Sequence, residues 1–157
     1  MFVRRIAVVG TGYVGLTTGA CLASLGHRVV CADINEDKVE ALQGGQVSIL
    51  EPGLAELVAE GLAAGRLEFV VGARNAVPDA EVVFLCVPTP MGAGGAADLA
   101  AVESVAAEVS EVLRPACVVV NKSTVPVGTA ARPGGHTARP PAPRHPARRT
   151  PPRSGPD

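Results

Sequence analysis

Short apolar runs alternate with amphipathic stretches through the first 129 residues. The β-branched run 4–9 closes at Gly10, which marks a buried strand. A helix is predicted over 12–25, stopped by Gly26, and a second strand over 27–32. Asn35 has the character of an N-cap, and Ile34 before it with Val39 at the fourth helical position predicts a hydrophobic staple. Leu54, Leu57, Val58, Gly61 and Leu62 keep the 3.6-residue period of another helix. Further strands are predicted over 66–71, 82–87 and 116–120. Between the last two, Asp98 can cap a helix with the apolar face Leu99, Val102, Val105, Ala106, Val109 and Val112, and Pro115 prevents it from running on. Continuous apolar strands alternating with helices predict an α/β fold, a doubly wound parallel sheet covered on both faces.

Composition then divides the chain. The net charge of -1 averages two unlike parts: residues 1–129 hold 8 Lys+Arg against 14 Asp+Glu, whereas 130–157 hold six Arg and one Asp. The second part contains eight of the 14 prolines and no Leu, Ile, Val, Met or aromatic residue. It has no apolar area to offset the entropy of ordering, so a disordered tail over 130–157 is expected behind an incomplete domain over 1–129. Ala, Arg, Pro and Gly supply 22 of its 28 residues, and these are the amino acids that codons beginning with two G or C bases encode. The break also falls inside a βα unit, where long structureless segments are rare. These features point to a reading-frame shift after Thr129 that leaves the fold cut off after about its fifth strand; a natural Pro/Arg-rich linker is the alternative. The last strand is then an apolar edge that invites aggregation.

The same composition excludes several classes. No apolar run approaches the roughly 18 residues of a membrane span. The N-terminal run is interrupted by Gly10, Gly12 and Gly15, unlike a signal peptide, so a cytoplasmic location is expected. Cys21, Cys31, Cys86 and Cys117 lack paired spacing and read as buried, inert thiols, and His27, His136 and His145 show no ligand spacing, so no metal is assigned. The six tail arginines come without aromatic residues to stack on bases, so no nucleic-acid partner is expected.

The candidate chemistry lies in the first turn. Gly10-Thr11-Gly12-Tyr13-Val14-Gly15 fits G-x-G-x-x-G, with a strand before it, a helix after it and Gly19 one turn on. Gly10 allows the tight turn, Gly12 lets backbone approach a pyrophosphate, and Gly15 permits close helix–strand packing. The pyrophosphate would meet the unpaired N–H groups of the helix start. Asp33 ends the second strand, 18 residues after Gly15, where a carboxylate can accept both ribose hydroxyls and repels a 2′-phosphate. The pattern is that of a Rossmann-like domain and predicts NAD over NADP as cofactor. The alternative has Asp33 only starting a turn with Asn35.

Four segments occur in order: Gly10 to Leu16, then Glu51-Pro52-Gly53-Leu54, then Cys86-Val87-Pro88-Thr89-Pro90, then Lys122-Ser123-Thr124-Val125-Pro126-Val127-Gly128-Thr129. Together they resemble the N-terminal domain of the UDP-glucose/GDP-mannose dehydrogenase family over residues 3–129. The last segment favours the UDP-glucose branch, and Ser48 departs from the family's usual proline. The resemblance implies that Val14 and the glycine turn contact the NAD pyrophosphate region, Asp33 and Lys38 the adenosine side, and Thr89 and Thr124 the nicotinamide end. Tyr13 would pack over the cofactor, with only its backbone required. Thr124 would also help to order a water. Lys38 as a solvated lysine and Thr124 as an ordinary turn residue remain the simpler alternatives, and Glu51 would meet the positive end of a helix.

The resemblance further implies oxidation of the C6 hydroxyl of a UDP-sugar to a carboxylate by two NAD in turn, in a homodimer, through a thioester on a catalytic cysteine assisted by a lysine and an asparagine. None of the four cysteines has the expected Gly-Phe-Gly-Gly-x-Cys setting. The full-length parent would therefore be the enzyme. As alternatives, the chain itself is a non-catalytic dinucleotide-binding fragment, or it belongs with the GDP-mannose or UDP-N-acetylmannosamine enzymes.

Overall fold

A computed structural model describes residues 2–90 and 99–123. The tail over 130–157 and the Asp98 cap lie outside the described residues. Five strands, β1 (Arg5–Val9), β2 (Arg28–Asp33), β3 (Leu67–Val71), β4 (Val82–Leu85) and β5 (Val118–Asn121), form one sheet in the order β3-β2-β1-β4-β5. Every neighbouring pair is parallel, with Val9 opposite both Ala32 and Leu85. The predicted Rossmann-like architecture is the one observed. β1 lies at the centre because its apolar run is buried on both faces.

Four helices cover the sheet: α1 (Tyr13–Ser24), α2 (Glu36–Gln43), α3 (Leu54–Ala63) and α4 (Ala100–Ser110). Leu16, Ala20 and Ala23 of α1, Val39 and Leu42 of α2, and Leu54 and Val58 of α3 share one core with Ile6, Val8, Val29 and Phe69. The opposite face packs Ala7, Val9, Val83 and Leu85 against Val109 of α4 and a short 3-10 turn at Ala73–Asn75, which the apolar pattern does not announce. Among the described residues no helix is long and apolar enough to cross a membrane, and no cluster of His, Cys, Asp or Glu could hold a metal.

Several boundaries differ from expectation for local reasons. Asp33 belongs to β2, opposite Val71 of β3. β4 ends at Leu85, before Cys86 and Val87; the Cys86 N–H still donates to the Val9 carbonyl at 2.8 Å, and Pro88 beyond it has no N–H to extend the ladder. β5 starts at Val118 because Ala116 sits at φ 63, a left-handed turn conformation that no strand residue adopts. β5 is one edge of the described sheet, opposite β3, with Val118 exposed and Val119 packed on the α4 side of the core.

The Asn35 cap forms, its side chain accepting the Lys38 N–H at 3.0 Å, but the staple does not. Val39 is buried whereas Ile34 is 86% exposed, because the end of β2 turns Ile34 towards a cleft rather than onto α2. Nor are all four cysteines buried: Cys31 and Cys86 are, Cys117 is half-buried, and Cys21 is exposed because it lies off the stripe Leu16, Ala20, Ala23 that α1 turns inward.

Candidate functional site

A cleft of about 690 Å³ opens over the C-terminal ends of β1, β2, β4 and β5, with α4 as one wall. Its floor is the glycine turn. Gly10 stands at φ +98, and a Cβ on it would lie 2.6 Å from the Cys86 carbonyl oxygen, so the turn brings the ends of β1 and β4 into contact. A Cβ on Gly15 would lie 1.8 Å from the Gly10 oxygen, so the first turn of α1 sits directly on the end of β1. Gly12 is different: nothing lies within 4 Å of a Cβ built there, and that space belongs to the cleft. As N-cap of α1, Gly12 provides no side-chain cap. The first N–H groups of α1 have no intrahelical acceptor, and they leave a positive helix end beside this open space. Tyr13 and Val14, both exposed, flank it.

Asp33 and Lys38 close one end of the cleft. Asp33 Oδ2 accepts the Thr11 N–H at 3.0 Å, the Thr11 hydroxyl at 2.5 Å and the Lys38 ammonium at 3.1 Å, and Oδ1 accepts the Asn35 N–H at 3.2 Å. Burial alone would raise the pKa of Asp33, but the bonds from Thr11, Asn35 and Lys38 outweigh it and lower it to about 2. The group is a carboxylate at neutral pH. Lys38 is therefore paired rather than simply solvated.

Cys86, Val87, Pro88 and Thr89 just after β4, with Lys122 and Ser123 just after β5, form the other end. The Ser123 hydroxyl donates to the Val87 carbonyl at 2.8 Å and so ties the two segments together. Burial raises the Cys86 thiol against the opposing Lys122 charge, and it pushes Cys31 up to about 12, so neither is a ready nucleophile. Thr124 lies outside the described residues. The structure thus brings Gly10, Gly12, Tyr13, Val14, Asp33, Lys38 and Thr89 to one cleft, with Gly15 behind its floor. The Glu51 carboxylate, expected at a helix start, instead accepts the Tyr13 hydroxyl at 3.0 Å. α3 begins three residues later and takes the Glu51 backbone carbonyl as acceptor for the Leu54 N–H.

Sequence reasoning missed Thr11 and Ile34. Thr11 occupies a variable place in the glycine pattern, and its bond to Asp33 depends on the β1–β2 register. Ile34 carried a signal, an apolar residue next to a cleft-end carboxylate, but the staple pattern claimed it.

A parallel sheet whose central strand passes through a glycine turn into an uncapped helix start, with an ionised acid ending the next strand, defines a dinucleotide-binding α/β domain. Residues 4–138 match the NAD binding domain of the UDP-glucose/GDP-mannose dehydrogenase family, and the chain belongs to that family. It is similar to UDP-glucose 6-dehydrogenase of Pseudomonas aeruginosa, 48% identical over 82% of this chain and 28% of the relative. The enzyme of the same name from Rhizobium meliloti is 50% identical over 80% of this chain and 29% of its own length. A UDP-glucose dehydrogenase structure from Pyrobaculum islandicum superposes with a TM-score of 0.80 at 40% identity, covering 85% of this chain and 33% of that one. The chain thus spans a third or less of the length of these relatives. NAD is the cofactor of the domain.

Proposed function

We propose that the cleft holds NAD with its pyrophosphate on the Gly10–Gly15 turn, its adenosine ribose on Asp33, and its nicotinamide end towards Thr89 and Thr124. The observation that carries this reading is the empty space over Gly12, beside an uncapped helix start and within one cleft of an ionised Asp33. Gly12, Tyr13 and Val14 would offer backbone N–H groups to the diphosphate, and only a glycine leaves room for it at position 12. Asp33 would accept from ribose and repel a 2′-phosphate, and Lys38 would steady the carboxylate. When bound, NAD supplies a hydride acceptor.

In the whole protein, the substrate reading is a UDP-sugar, UDP-glucose first, oxidised at C6. The relatives' names support it, as does the Lys122 to Thr129 segment. The homodimer follows from the family resemblance, the cytoplasmic location from the glycine-interrupted N-terminal run, the lack of a nucleic-acid partner from a tail without aromatic residues, and the boundary near residue 129 from the change of composition there. Calorimetric titration of the chain with NAD tests the site. Asp33→Ala is expected to weaken binding about tenfold or more, and an unchanged affinity would refute the assignment.

A further inference from the structure

Thr11 is the one polar residue that is fully buried among the described residues, and both its backbone N–H and its hydroxyl are spent on a single oxygen, Asp33 Oδ2. We propose that the Thr11 hydroxyl is the positioning group for Asp33 and thereby sets the preference for NAD over NADP. This rests on the ribose-binding role proposed above for Asp33.

Two charges conflict at this end of the cleft. Lys38 Nζ stands 3.1 Å from Asp33 Oδ2, so a cation is present at the same end of the cleft as the residue that should exclude a 2′-phosphate. An ammonium on a flexible four-carbon stem can turn from a carboxylate to a phosphate, because both offer it negative oxygens. Asp33 and Lys38 alone therefore form a weak barrier: if the carboxylate rotates aside, the lysine receives the phosphate. Thr11 prevents that rotation. Its two donors belong to a buried turn between β1 and α1, carry no charge that a phosphate could attract, and hold Oδ2 from the strand side.

The count of donors gives the consequence. A carboxylate oxygen has two lone pairs, and Oδ2 already receives three donors, whereas Oδ1 receives only the Asn35 N–H. Oδ2 is filled by the protein and Oδ1 keeps room for one hydroxyl. The carboxylate therefore offers ribose one acceptor position in fixed orientation, rather than both oxygens to both hydroxyls.

The test is calorimetric titration of the full 157-residue chain, Thr11→Val, Thr11→Ser and Asp33→Ala with NAD and with NADP. Thr11→Val keeps the shape and loses the donor. It is expected to bind NAD about tenfold more weakly and to lose several-fold of its preference over NADP, with Thr11→Ser within about twofold of the natural chain on both counts. Thr11→Ala repeats the loss with neither γ-methyl of valine, should valine disturb the buried turn. Natural affinity and preference in Thr11→Val, or an equal loss in Thr11→Val and Thr11→Ser, would overturn the positioning role. An unchanged Asp33→Ala would instead remove the ribose reading beneath it.

Discussion

The two ends of the cleft are built by different means. At the β1–β2 end a half-buried carboxylate gathers a backbone N–H and a hydroxyl from Thr11 and an ammonium from α2, and charge holds the geometry. At the β4–β5 end a neutral bond joins the two segments, a serine hydroxyl reaching a carbonyl, and Val87, Pro88 and Val105 line the wall beside the Lys122 and Glu108 charges. The first end lies in the middle of the described sheet and has strands on both sides, whereas the second includes an edge strand, β5. Rigid charge suits the fixed part of a dinucleotide. A wall without such a cluster of donors on one acceptor suits an end where a reacting group and a second ligand must meet.

The turn that joins the two ends gives the largest expected effect. Gly15→Ala forces a Cβ against the Gly10 carbonyl, with the Cys86 Cβ close by at 3.1 Å and no flexible side-chain end to yield. It should cost about 3 kcal/mol or more, read as a lower urea midpoint. Gly12→Ala separates fold from site. Its Cβ meets no protein atom, so stability should change by no more than about 1 kcal/mol while NAD affinity falls about tenfold or more. Equal stability losses in the two variants would erase the distinction between the protein side and the cleft side of the turn.

Acid tests the charged end. A folded-state pKa held at about 2 means that Asp33 stabilises the fold fully above the ordinary carboxylate range, and that this contribution is lost as pH falls towards 2. The stability advantage of the natural chain over Asp33→Asn, about 1 kcal/mol after allowance for partial exposure, should shrink between roughly pH 5 and pH 2 in urea melts. A pH-independent difference would show that hydrogen-bond geometry rather than charge holds that end. The smallest effect belongs to the β4–β5 end. Ser123→Ala removes the bond to Val87 and should cost about 1 kcal/mol or less, with no dependence on pH over the same range.

Much of this was legible in the sequence, and the exceptions share a cause. The strands of the sheet, the glycine turn and Asp33 follow from local patterns, because a buried parallel strand must be apolar throughout and a tight turn under a helix admits only glycine. Thr11 was not legible: its partner is 22 residues away and is fixed by strand register. The start of β5 was missed because Ala116 takes a left-handed turn that its side chain does not advertise. Ile34 fits the staple pattern in sequence, but that pattern carries no information on which way the end of β2 turns.

That isoleucine has a further consequence. Its side chain is left in water at the entrance to α2, where a helix would ordinarily be clamped by its own chain. A planar, apolar guest settling there would supply the missing half of the clamp. Loading the cleft should therefore slow amide exchange through the first turn of α2 and lower the heat capacity of the complex. On this view the ligand becomes part of the scaffold that receives it.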